Sequence, residues 1–255
     1  AFVVARVATC PVARTCAPQG MGVCARIHTH TNTICLTHPY AHACSLFRSA
    51  WVIAHECGHG AFSDNKTLQD TVGYILHTAL LVPYFSWQRS HAVHHSKTNH
   101  VLEGETHVPY TMESGKKTLA KQQLMRKVFG HKIGSVIYGG MRMVSHLLFG
   151  WPAYLLAGVT GGPVRGVTNH FIPVKPFSTG DKNTELFPGA WKNKVWMSDV
   201  GIVAMIAALT AWASTFGFWH MAAFYLGPLA ITNCWLVMYT WLQHTDVSAY
   251  LALPT

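Results

Sequence analysis

No Asp, Glu, Lys or Arg occurs anywhere in residues 200–243. Wound as one helix at 1.5 Å per residue, that stretch would reach roughly 66 Å, about twice the ~30 Å hydrocarbon core of a bilayer. Two crossings joined by a hairpin accommodate it. The hairpin is expected within residues 216–228, where Gly217, Gly227 and Pro228 favour a break and Trp219 and His220 suit an interface. Two crossings return the chain to the side it left, so Lys192, Lys194 and Asp199 share a side with His244 and Asp246. The positive-inside rule makes that side the cytosol. Composition agrees with a membrane: 50% of residues are hydrophobic and 11% charged, against about 25% charged in soluble domains. Two further apolar stretches, residues 71–87 and 133–159, are interrupted by His77 and Pro83 and by Arg142, His146 and Pro152. Surface or re-entrant placement is expected for them. The fold class is therefore an all-α integral membrane protein, its transmembrane helices joined to a helical cap on the cytosolic side.

The formal charge of +9 does not indicate nucleic acid. Its densest basic group, residues 116–132, lies between apolar stretches and carries no recognition motif, as in a cytoplasmic loop facing anionic lipid. Residues 1–50 differ from the rest: they hold four Arg but no Lys, Asp or Glu, and five of the seven cysteines. Cys24, His28, His30, Cys35, His38, His42 and Cys44 fit no standard zinc-finger spacing and have no local acid to support them. The run His28-Thr29-His30-Thr31-Asn32-Thr33 looks like translated simple-repeat DNA, and residues 1–50 are expected to be disordered or extraneous and without function.

Seventeen histidines are present, and their spacing carries the chemistry. In His55-Glu56-Cys57-Gly58-His59, positions i and i+4 share one helical face. In His91-Ala92-Val93-His94-His95, positions i, i+3 and i+4 do the same. Burying five imidazoles in two such groups without metal would leave many polar atoms unsatisfied. Neutral imidazole suits iron, zinc or copper. His244, in Leu242-Gln243-His244-Thr245, ends the second crossing on the same expected side as both groups. The first motif alone also satisfies the metalloprotease pattern, with Glu56 as base. That reading leaves the second group unexplained, and residues 200–243 offer no acidic third ligand.

These residues resemble those of the membrane fatty acid desaturases of the acyl-lipid delta-12 and omega-3 type. The first motif, running on into Gly60-Ala61-Phe62-Ser63-Asp64, resembles their first histidine box. Leu80-Leu81-Val82-Pro83-Tyr84-Phe85-Ser86-Trp87 leading to Ser90 and His91–His95 resembles the second. Gly104-Glu105-Thr106-His107-Val108-Pro109, Gly150-Trp151-Pro152 and Leu242-Gln243-His244-Thr245 follow in the family's order. The resemblance implies residues 51–255 as a partial desaturase domain, its cytosolic cap carrying the histidine boxes. It implies two iron ions, with His55, His59, His91, His94, His95 and His244 as ligands. Glu56, Asp64, Glu105 and Asp246 are implied outer partners of ring nitrogens. The implied reaction uses O2 to introduce a cis double bond into a fatty-acyl chain of a membrane lipid. Electrons would come from cytochrome b5 or a similar donor, and the setting would be the endoplasmic reticulum. Departures exist. Gly60 stands where many relatives have a third His, Ala92 and Val93 where they have Arg or other polar residues, and no HxxHH box follows before Thr255. A chain lacking that third box would be an inactive relative, and box sequences alone do not separate desaturation from hydroxylation.

Overall fold

The computed structural model describes residues 21–109, 112–180 and 183–244, with the side chains of residues 21–39 and 112–114 left aside. Cys24, His28, His30, Cys35, His38 and Asp246 therefore lie outside the described side chains. Contacts divide the chain into two units, residues 1–39 and 40–255, and everything below concerns the second. Helix α1 (Met21–His59) is continuous through residue 50, where the sequence places a boundary. No strand occurs among the described residues, so the all-helical expectation holds.

Helix α2 (Lys66–Ala79) starts at Asn65, whose side chain accepts the Leu68 N–H at 3.1 Å, the usual device for an orphan donor at a helix start. It stops in a tight turn where Leu80 and Val82 N–H both bond the His77 carbonyl and Leu81 takes φ +55. Pro83 then caps helix α3 (Tyr84–Ser96), where a missing N–H costs nothing. The free N–H of Phe85, one residue into α3, is met at 3.0 Å by Ser198 Oγ of helix α6 (Trp191–Phe216). Helix α4 (Met112–Phe129) packs on α5 (His131–Ala157), which runs through Pro152 and ends at Gly158 in the left-handed conformation.

Gly217, at φ +89, separates α6 from the short helix α7 (Phe218–Met221). A wide turn at Ala222–Leu226 follows, and then helix α8 (Gly227–His244). The break lies within the span expected from sequence. The indole N–H of Trp212 donates to His220 Nδ1 across it at 3.1 Å. Trp191–Phe216 (26 residues) and Phe218–His244 (27 residues) are each long and apolar enough to cross a membrane. Helices α2 and α3 pack on α6, and α5 on α8. The main core joins Trp51, Leu80, Val82, Trp87, Trp151, Leu155, Leu209, Tyr225, Leu229 and Val237, tying α1 and α3 to both long apolar helices. Elsewhere those helices leave large apolar side chains bare: Val200 at 69%, Val203 at 65% and Leu242 at 66% exposure. So much uncovered apolar surface is foreign to a monomer in water.

Candidate metal centre

The face of α1 that enters the core carries Trp51, Ala54 and Cys57, all buried, at intervals of three. Cys57 packs against Tyr84 and Phe85, so this thiol points away from the histidines. His55 and His59 lie along the edge of that face. On α3 the buried positions are Tyr84, Phe85, Ser86, Trp87, Ser90, Val93 and His94, while His91 and His95 meet the histidines of α1.

Four ring nitrogens meet there. His91 Nε2 is 3.0 Å from both His55 Nε2 and His59 Nε2, and His55 and His59 Nε2 are 3.2 Å apart. His95 Nε2 is 3.2 Å from His91 Nε2. Hydrogen bonding alone does not satisfy such a triangle, because a ring N–H directs its one proton along one axis. Protonating the rings would set like charges in contact. A cation at the convergence would satisfy every lone pair at once, and the donor atoms of His55, His59 and His91 all lie within 4.8 Å of one another. The protonation states suit one: burial first, then the neighbouring histidines, lowers His91 to about 2, and burial and His55 lower His59. Rings that stay neutral keep their lone pairs for metal.

The surroundings fix these rings. Glu56 Oε1 is 3.0 Å from His55 Nδ1, where it accepts an Nδ1–H and leaves Nε2 free to face the cluster. A metalloprotease would need that carboxylate as its base. The Trp87 indole stacks on His91 with centroids 4.5 Å apart, and Trp51 packs edge-on against Trp87.

A second group adjoins the first on the same face of α3, the His94 ring lying 6.1 Å from that of His91. His94 Nε2 is 3.1 Å from His244 Nε2 at the end of α8. All six histidines singled out in the sequence thus gather in two adjoining groups. The structure adds His107, whose ring stacks on His244 at 5.1 Å and 12°. Burial, His244 and His94, in that order, lower His107 to about 4, and burial, His244 and His95 lower His94 likewise to about 4. In sequence His107 is only a landmark; it belongs to no i, i+3, i+4 pattern, and its loop position hides it from helical spacing. The acids separate as well. Asp64 is exposed in the turn after α1. Glu105 is buried beside His170, 3.9 Å from its Nε2, rather than beside any of the six. Burial pushes Glu105 up to about 7 and holds His170 down to about 4, so near pH 7 the two do not form a full ion pair.

Known proteins resemble this chain in sequence. A family model described as fatty acid desaturase matches residues 35–252. The chain is 38% identical over 215 residues to the Delta(12)-fatty-acid desaturase of Arabidopsis thaliana, covering 84% of this chain and 51% of that protein. It is 40% identical over 195 residues to the Delta(12)-acyl-lipid-desaturase of Punica granatum, 76% of this chain and 45% of that one. A Delta(12) fatty acid desaturase of Mortierella alpina is 36% identical over 201 residues, 77% and 48%. The chain spans about half the length of the curated relatives it matches. No solved structure matches it. With the family model covering most of its length and relatives near 38% identity over most of the chain, the chain belongs to the fatty acid desaturase family.

Proposed function

We propose that residues 51–255 form the iron-bearing part of an acyl-lipid desaturase that places a cis double bond in a membrane-held fatty-acyl chain, at the delta-12 position as its relatives' names suggest. The observation that carries this reading is the convergence of the His55, His59 and His91 Nε2 atoms at 3.0–3.2 Å. His95 completes the first group, while His94 and His244 supply the second. When bound, iron would supply the activation of O2 needed to break an unactivated C–H bond. Two hydrogens leave adjacent methylenes, O2 is reduced to two waters, and two further electrons come from cytochrome b5 or a similar donor.

The chain's own residues position and shield. Glu56 holds the tautomer of His55, and Trp87 holds the plane of His91. An open groove of about 670 Å³ runs between α1 and α8, lined from Arg48 to His55 on one side and from Thr232 to Gln243 on the other. Its volume is that of a typical ligand site. Trp51, Val52, Ile53, Trp235, Leu236 and Tyr239 make its walls apolar, which suits an acyl tail. Two membrane crossings, α6 and α7–α8, with the histidines on the cytosolic side of the endoplasmic reticulum, would let that tail enter from the bilayer.

Fatty-acid profiling of yeast expressing a full-length desaturase that contains this chain together with a third histidine box tests the reading. A new diene is expected, and it should disappear, along with bound iron, in His91→Ala. A His91→Ala protein that keeps both its iron and its product would sink the assignment.

A further inference from the structure

The positive charge of this chain is concentrated in one segment. Residues 114–180 hold nine of the 19 Lys and Arg and none of the ten Asp and Glu. The other ten cations are matched by the ten acids, so this segment alone carries the formal excess of +9. Six of its nine cations, from Lys116 to Lys132, lie on α4 and the first turn of α5.

Folding displays that charge on a tight two-helix hairpin. Gly130, at φ +80, turns the chain between α4 and α5. Gly134 lets the two backbones touch, since a Cβ there would stand 2.3 Å from the Met125 carbonyl oxygen. Tyr138 donates to the Thr118 carbonyl at 3.2 Å, and Arg126 Nε to Ser135 Oγ at 2.9 Å. One face of α4 is thereby occupied by α5. Lys121, Leu124 and Val128, at i, i+3 and i+7, share another face, and all three are exposed, Val128 at 62%. Lys116 and Lys127, also exposed, flank them. On α5, Ile133, Val136, Val144 and Leu148 form a second uncovered stripe, with Val136 at 74% exposure.

Cations set among bare, large apolar side chains suit a surface that meets lipid headgroups and the acyl boundary together. A basic patch facing water has no use for so much uncovered apolar area. The level in the membrane agrees. The His146 ring of α5 stacks on Trp241 with centroids 5.1 Å apart, one turn before His244 at the proposed cytosolic end of α8. The hairpin therefore joins the bundle at headgroup depth if α8 crosses the bilayer.

We propose that α4 and the start of α5 bind anionic phospholipid, with Lys116, Lys121 and Lys127 on the headgroups and Leu124 and Val128 at the acyl boundary. This rests on the two-crossing topology, and the test separates the two. The full chain is reconstituted in phosphatidylcholine vesicles, and the association of spin-labelled phosphatidylserine is measured against that of spin-labelled phosphatidylcholine. Wild type should prefer phosphatidylserine by at least about fivefold, the worth of one lysine near an anionic surface, and high salt should erase the preference. A variant combining Lys116→Gln, Lys121→Gln and Lys127→Gln should lose most of it. The matching Lys→Arg variant, which keeps the charge, should retain it. Wild type that resists alkaline extraction yet shows no preference would overturn the inference and leave the two crossings standing. A preference retained by the Gln variant would also overturn it, and slower reduction of that variant by an acidic haem protein would reassign the lysines to protein docking. Equal loss in the Gln and Arg variants would overturn it by tracing the effect to helix packing. A wild-type chain released by alkali would overturn both.

Discussion

Two histidines that hold no place in either group show how burial shapes this protein residue by residue. His77 is fully buried against the rings of Trp51, Trp87 and Tyr84 at 4.9, 4.7 and 5.6 Å, and burial depresses it to about 3. His170, equally buried, is held at about 4. Both values lie below the ordinary 6.5. Above pH 6.5 the rings are neutral folded or unfolded, and their titration gives stability no pH dependence. Below it the unfolded chain takes up protons that the folded chain refuses, so stability falls as pH drops from 6.5 toward 4, by about 1.4 kcal/mol per unit and per group. Thermal melting of the apo chain between pH 7.5 and 4.5 should show this loss, and His77→Phe should reduce its slope. A slope that His77→Phe leaves unchanged would mean that this ring is charged or solvated in the fold. Glu56 shows the opposite arrangement, a half-exposed acid fixing a ring by direct contact.

Among the elements, α3 matters most, because it supplies three of the six histidines and touches both groups. Its register is set at its first turn. Ser198 Oγ accepts the Phe85 N–H and donates to the Lys194 carbonyl at 3.2 Å, locking the start of α3 to α6. Close approach of α2 to α6 depends on Gly201, where a Cβ would stand 2.5 Å from Tyr74 Oη and 2.8 Å from Thr78 Oγ1. The helix bearing the second box is thus positioned from an apolar helix more than a hundred residues later. Ser198→Ala would leave the buried Phe85 N–H unmet, and a cost of about 1–3 kcal/mol is expected. Denaturant titration in detergent checks it. An unchanged midpoint would show that α3 keeps its register without α6.

For the molecule as a whole, the two long apolar helices and the histidine groups meet at one end: His244 closes α8 against His94, while Gly217 marks the distant turn. If α6 and α7–α8 cross the membrane, a single cysteine at position 217 should be labelled by an impermeant reagent only from the lumen of sealed microsomes. One at position 192 should react from the cytosolic side. Labelling of both from the same side would defeat the two-crossing topology. Much of this was legible in the sequence. Residues 200–243 dictate a paired apolar span because no charge interrupts them. The i, i+3 and i+4 spacings dictate two shared faces, since helical periodicity is a local property. Contacts between distant residues carry no such local signature. The stacking of His107 on His244, the bond from Ser198 to α3 and the removal of Glu105 to a separate buried pair with His170 arise only when helices pack. The sequence by itself determined that this protein has apolar helices and metal-spaced histidines. Only the tertiary structure decided which rings share a point in space, because that depends on how loops and helix ends far apart in the chain are pinned together.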